Sequence, residues 1–227
     1  WPRRGTTVND MTAEASRPSS RPTTRERSSR EPFHLSCRCW CCRSRARIRP
    51  AEYPPITLLV AAYNEAERIA DTLQSLAGQD YAGAYEILVL NDGSTDATAE
   101  VVRRALAELP FPPNATARLL DFPANAGKAA VLNRGLDAAR HDLIVTIDGD
   151  SWIHADGLTH IVERLLSDPP ETDAVAGAVM VRNGRDTFLT RCQEWDYFHG
   201  IAAVKRMQSM FHGTLVAQGA FSIYRRS

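Results

Sequence analysis

The chain has 227 residues, of which 44% are hydrophobic and 24% charged, an ordinary globular composition and enough for one to one and a half domains. Lys plus Arg and Asp plus Glu both number 27, so the formal net charge is zero, which at face value excludes a strongly acidic protein and a nucleic-acid binder driven by overall charge. The zero is a cancellation: residues 1–50 hold twelve arginines, no lysine and four acids (net +8), and residues 51–227 hold fifteen basic and twenty-three acidic residues (net −8).

Residues 1–52 read as a disordered Arg/Ser/Pro/Cys-rich arm. Arg, Ser, Thr and Pro supply 29 of the first 50 residues, and without aliphatic clusters such a segment cannot bury enough surface to offset the entropy of ordering. A basic arm can bind nucleic acid or anionic lipid by charge, but we read this one as an unselected stretch and expect no nucleic-acid partner. Cys37, Cys39, Cys41 and Cys42 crowd around Trp40, whereas a zinc knuckle prefers C-x-x-C pairs; they read as incidental thiols, with a soft-metal clip as the alternative. The chain begins at Trp1, its first methionine is Met11, and we read it as a fragment, a processed product or a conceptual translation. No apolar signal-peptide core follows the arginines, and no stretch approaches the ~18 apolar residues of a membrane span.

From Tyr53 the pattern changes. Apolar runs at Ile56–Ala62, Tyr85–Leu90, Ala117–Phe122, Asp142–Ile147 and Asp173–Val181 predict five strands. Helical spacing predicts helices over Glu65–Ala77, Asp96–Leu109, Ala129–Arg140 and Ala155–Ser167. Thr187–Met210 reads as one long or two short aromatic-rich helices, with Cys192 as a small core residue, and Thr214–Tyr224 as a strand pair or a bent strand. Strands alternating with helices and apolar on both faces imply an α/β fold with a mostly parallel sheet flanked by helices.

Open parallel sheets bind ligands outside the carboxyl ends of their strands. Four polar clusters fall there: Tyr63-Asn64-Glu65, Asn91 to Asp96, Asn125 to Lys128, and Asp148-Gly149-Asp150. The paired aspartates suit a hard cation, Mg2+ or Mn2+, and a polar strand-end turn is the plain alternative. Asp92 can accept hydrogen bonds from a base or ribose, or belong to a turn in which Ser94 or Thr95 caps the next helix. Lys128 at a helix start suits a phosphate or is a solvated lysine, and Glu65 can be simply a first-turn helix acid.

In this order the segments TLLVAAYNE, EILVLNDGSTDAT, NAGKAAVLNRGL and DLIVTIDGDS resemble the family 2 glycosyltransferases with the GT-A fold, a Rossmann-like nucleotide-diphospho-sugar transferase domain. The likeness runs from about Pro55 to Arg226. Gln193-x-x-Asp196-Tyr197 with Gly200, and Gly219-Ala220-Phe221-Ser222-x-Tyr224-Arg225-Arg226, narrow it to the processive membrane branch that makes poly-N-acetylglucosamine, chitin oligomers, hyaluronan and cellulose. The resemblance implies an inverting, metal-dependent transfer from a UDP-sugar to a growing β-linked glycan acceptor. Tyr63, Glu65 and Asp92 would hold the uridine, Lys128 would lie near the diphosphate, and Asp148 and Asp150 would form the D-x-D pair, with Asp150 the direct metal ligand. Gln193, Asp196, Tyr197, Gly219 and Phe221 would line the donor-sugar and acceptor side.

Three departures stand out. Asn91 replaces the first acid of D-D-G-S, and Asp196 stands where Glu is frequent. The T-E-D or G-E-D motif that carries the base in this family, and the Q-x-x-R-W motif after it, do not occur in these residues. We therefore read 53–227 as a GT-A domain incomplete at its C-terminus. Its general base is expected beyond Ser227, and membrane attachment is expected through segments of a full-length parent whose catalytic domain faces the cytoplasm. The alternatives are a non-catalytic nucleotide-sugar-binding fragment and, far behind, a D-x-D phosphatase, which needs Thr or Val where Trp152 stands. A dinucleotide-binding domain lacks its G-x-G-x-x-G here.

Overall fold

A computed structural model describes residues 49–178, 187–197, 199, 203–209 and 219–226. The strands are β1 (Ile56–Ala62), β2 (Tyr85–Asp92), β3 (Ala115–Phe122), β4 (Leu143–Asp148), β5 (Ala174–Ala176) and β6 (Phe221–Arg225). The helices are α1 (Ile69–Ala77), α2 (Thr98–Glu108), α3 (Lys128–Ala138), α4 (Gly157–Ser167), α5 (Phe188–Tyr197) and α6 (Val204–Ser209). The strands form one sheet in the order β3-β2-β1-β4-β6-β5. β1 to β4 run parallel, and β6 joins β4 and β5 antiparallel.

The continuous apolar runs follow from two covered faces. Successive side chains of a strand point to opposite sides, so Ile56, Leu58, Val60 and Ala62 join Ile87, Val89, Val145 and Ile147 in a core with α1, α2 and α4. On the other face Leu59, Leu88, Leu90 and Ile144 pack with Val131 and Leu136 of α3. Parallel register aligns the carboxyl ends: Ala62 lies opposite Asn91, Ala61 opposite Asp148, and Asp92 opposite Phe122. The four polar clusters therefore meet at one edge.

The structure corrects several boundaries. The helix expected from Glu65 begins at Ile69, because Asn64 takes a left-handed φ of 54° and the chain turns before it winds. The fifth strand ends at Ala176, and residues 179–181 of the expected strand lie outside the described residues. Of the expected Thr214–Tyr224 unit, 214–218 lie outside the described residues, and β6 supplies one strand. Among the described residues the aromatic-rich stretch holds two short helices, α5 and α6. α5 buries none of its residues, with Phe188 83% exposed and Trp195 65% exposed, so Cys192 is an exposed thiol and not the core residue expected. Residues 1–48, with the cysteine cluster, lie outside the described residues. Among the described residues no helix is long and apolar enough to cross a membrane.

Candidate functional site

The site begins with two loops stitched together. The Asn64 side-chain oxygen accepts the Thr95 backbone N–H at 2.8 Å, and the Asn64 N–H donates to Ser94 Oγ at 3.0 Å. The Glu65 N–H donates to Thr98 Oγ1 at 2.9 Å, and the Ala66 N–H to Asp96 Oδ2 at 3.2 Å. These bonds satisfy backbone N–H groups of the two loops and hold the loops to each other. They also revise the capping expectation: Ser94 and Thr95 reach across to the first loop, while Asp96 accepts the Thr98 N–H at 3.0 Å.

Asp92 is buried and turned inward. Its carboxylate oxygens accept the N–H groups of Ala126 at 2.9 Å and Gly127 at 2.8 Å, which ties the loop before α3 to the end of β2. Gly93 completes this junction: at φ 65°, a Cβ there would come within 2.5 Å of the Asn125 nitrogen, so only glycine fits.

The Asp148-Gly149-Asp150 turn is pinned from both sides. The Gly149 N–H donates to the Ala61 carbonyl of β1 at 2.9 Å, and the Gly149 carbonyl accepts the buried Thr72 hydroxyl of α1 at 2.8 Å. Further along, Ser75 Oγ of α1 accepts the Ile153 N–H at 3.1 Å, and Gln79, just past the end of α1, donates to the His154 carbonyl and accepts the Leu158 N–H. Thr72, Ser75 and Gln79 thus form a polar stripe that fastens the whole loop after β4 to α1. An open groove of about 380 Å3 lined by Asp71, Gln74, Trp152 and His154 lies beside this seam; the carboxylates, not the groove, hold the chemistry argued here.

Cations meet both aspartates. Lys128 pairs with Asp148, and Arg68 Nη1 lies 3.8 Å from Asp150 Oδ2. The aspartate side chains remain 30% and 42% exposed, open to a ligand from solvent. Burial, followed by the charge of Asp150, raises the Glu65 pKa above the ordinary glutamate value, and Arg68 opposes the shift. Asp150 and Asp148 thus both act on Glu65 as nearby like charges. Among the described residues no three His, Cys, Asp or Glu side chains come close enough to hold a metal by themselves. Mg2+ needs only one or two carboxylates when substrate phosphates complete its shell, and the Asp148–Asp150 pair of hard oxygen donors fits that requirement.

The remaining expected residues separate. Tyr63 is 46% exposed at the same edge. Gly219 is brought in, since a Cβ there would stand 3.2 Å from Lys128 Nζ. Phe221, expected to line the donor-sugar and acceptor side, is half-buried and packs beside Gly157 and Gly177. Gln193 and Asp196 are exposed on α5, and no described hydrogen bond or ion pair brings them or Tyr197 to the D-G-D turn. Sequence reasoning missed Arg68 and Thr72, and it placed Asn64 and Asp96 in the polar clusters without a role. For Thr72 a signal existed: with Ser75 and Gln79 it is a polar residue interleaved among the buried Ile69, Leu73 and Leu76.

The chain is similar to known glycosyltransferases. The poly-beta-1,6-N-acetyl-D-glucosamine synthase of Staphylococcus aureus is 32% identical over 180 residues, covering 79% of this chain and 42% of the relative. The synthase of the same name from Staphylococcus epidermidis is 32% identical over 172 residues, covering 76% and 40%. The chain thus spans less than half the length of these relatives. A mannosyltransferase from Pyrobaculum calidifontis, solved with GDP-Man and Mn2+, superposes with a TM-score of 0.62 at 28% identity, covering 78% of this chain and 46% of that one. The architecture, a mostly parallel sheet between helices, is the GT-A fold. The family model for glycosyl transferase family 2 matches residues 57–227. Because that match takes in all six strands and the polar edge they share, the chain belongs to glycosyl transferase family 2.

Proposed function

We propose that the domain formed by residues 53–227 binds a UDP-sugar, carrying N-acetylglucosamine or glucose, for inverting transfer to a growing β-linked glycan. The observation that carries this reading is the D-G-D turn at the carboxyl end of β4, held by β1 and α1, with Glu65 and Lys128 beside it. Similarity to poly-N-acetylglucosamine synthases supports the sugar, and the GDP-Man and Mn2+ of the mannosyltransferase support a nucleotide-sugar donor with a divalent ion.

In this reading Tyr63 and Glu65 flank the nucleoside, and Asp92 fixes the loop of Ala126 and Gly127 beside it. Lys128 exchanges Asp148 for a diphosphate oxygen. Mg2+ or Mn2+, held by Asp150 and Asp148, would supply positive charge against the leaving diphosphate. Gln193, Asp196, Tyr197, Gly219 and Phe221 flank the sugar and acceptor. We assign the general base to none of the described residues, since a base must reach the acceptor hydroxyl, and propose that these 227 residues alone bind donor without completing transfer. Membrane attachment of a longer parent, with this domain on the cytoplasmic side, belongs to the same reading.

Calorimetry with UDP and GDP, with and without Mn2+, tests it. UDP should bind, more tightly with Mn2+, and Asp150→Ala should remove the Mn2+ dependence. Binding unchanged in Asp150→Ala sinks the metal assignment, a preference for GDP sinks the donor assignment, and polymer made by the 227-residue chain sinks the claim of binding without turnover.

A further inference from the structure

Two cations reach the D-G-D turn from helices on opposite faces of the sheet. Lys128 starts α3 and belongs to the reading above. Arg68 sits at the start of α1 and has no place in it. Its backbone is fixed, with its N–H donating to the Glu65 carbonyl at 3.0 Å and its own carbonyl accepting the Thr72 N–H at 3.2 Å. Its side chain is 66% exposed, and its guanidinium stands 3.8 Å from the Asp150 carboxylate. That separation is a through-space pairing and not a close bidentate hydrogen-bonded one. An exposed pair of this kind is weak and readily exchanged.

A divalent cation and Arg68 compete for Asp150, since both need the same carboxylate charge. A guanidinium, once free, matches a phosphate with two parallel N–H donors. The diphosphate that completes the shell of an ion on Asp150 necessarily lies within a few ångströms of that carboxylate. We infer that Arg68 is a displaceable partner of Asp150: it neutralises this carboxylate, gives it up when the carboxylate takes a divalent cation, and turns to an oxygen of the donor's diphosphate. Arg68 is then a positioning residue before the donor binds and a donor-binding residue afterwards. The inference rests on the donor reading given above.

The two roles have opposite signs in one variant. In Arg68→Gln, Mn2+ titrated into the nucleotide-free chain and followed by the paramagnetic resonance of free Mn2+ should bind about two- to fivefold more tightly, because its competitor is gone. UDP titrated at saturating Mn2+ should bind about tenfold more weakly, because a charge-assisted phosphate contact is lost. Arg68→Lys should keep the wild-type Mn2+ affinity and recover only part of the UDP affinity. Changes of the same sign in both titrations, or no change in either, overturn the inference while leaving the donor reading intact. A wild-type chain that binds neither Mn2+ nor UDP overturns the donor reading itself. The exposed side chain makes misfolding of these variants avoidable, and an unchanged thermal midpoint verifies it.

Discussion

Two groups of acidic residues in the same sheet behave in opposite ways, and Asp92, buried and filled at the carboxyl end of β2, sides with the group at the amino end. At the amino end Glu86 is 1% exposed and saturated: it accepts from the Thr57 hydroxyl at 3.2 Å, from Arg118 Nε at 3.2 Å and from the Arg140 backbone N–H at 3.1 Å, and both arginines pair with it. On α4, Glu163 is 5% exposed and accepts the Tyr53 hydroxyl at 2.8 Å. At the carboxyl end Asp148 and Asp150 are part-exposed, each facing a cation on a long, exposed side chain. A buried carboxylate with its lone pairs filled is a structural fastener, because nothing can replace its partners without leaving charge stranded. An open carboxylate whose partner can swing into water can exchange that partner for a ligand. Acidity alone does not separate the two groups; burial and the number of partners do.

The comparison can be broken first at Glu86. Glu86→Ala should cost about 3 kcal/mol in urea unfolding, since it strips Thr57, Arg118 and the Arg140 N–H of a buried acceptor at once; a loss under about 1 kcal/mol would show that this end is not a fastener. Asp148→Asn with Asp150→Asn should do the reverse, with a thermal midpoint within about 2 °C of wild type and Mn2+ affinity about tenfold lower or worse. Equal damage to stability at both ends would erase the distinction.

Thr72 joins the two behaviours, being a buried fastener that serves the open site. Thr72→Val keeps the shape and leaves the Gly149 carbonyl without its donor, so unfolding should weaken by about 1–2 kcal/mol, and Mn2+ affinity should fall with it. Thr72→Ser should restore both. Stability loss with unchanged Mn2+ affinity would confine Thr72 to packing.

The smallest expected effect is in pH. The Glu65 pKa is raised by burial and by Asp150, so its contribution to stability is full below the ordinary glutamate value and lost as pH rises through the raised one. Glu65→Gln should therefore gain stability relative to wild type as pH climbs from about 4 to 7. The Asp96 pKa is lowered, first by the Thr98 hydroxyl, so its contribution is present above the ordinary aspartate value and lost as pH falls through the lowered one. Asp96→Asn should lose its deficit against wild type on acidification. Chemical denaturation at pH 4 and pH 7 reads the Glu65 shift, and a series from about pH 4 down to about pH 2 reads that of Asp96; no relative gain in Glu65→Gln, or a full deficit kept by Asp96→Asn at the acid end, would refute the corresponding shift.

Much of the fold was legible because the strands are covered on two faces. Leu58–Ala62 and Ile87–Leu90 are apolar without interruption, and a run of that kind between turn residues has few other ways to hide from water. The candidate site was legible as a set, since in a parallel sheet the residues that follow each strand must gather at one edge. Asn64 was not legible as the residue that delays α1, because its left-handed turn is held by Ser94 and Thr95, 30 and 31 residues away. Cys192 was misplaced for a related reason: periodicity names a face but not what covers it, and α5 finds no cover among the described residues.

The sequence by itself determined the strand–helix alternation, the parallel sheet, the edge at which polar groups collect and the family they resemble, all consequences of local pattern and chain order. The tertiary structure decided which polar groups are fasteners and which are open. Thr72 reaches Gly149 across 77 residues, Asp92 turns to Gly127 across 35, and Arg68 meets Asp150 from a different element. Hydrogen bonds and ion pairs act over about 3–4 Å of space regardless of chain separation, so only the folded chain settles a carboxylate's partners, and with them its role.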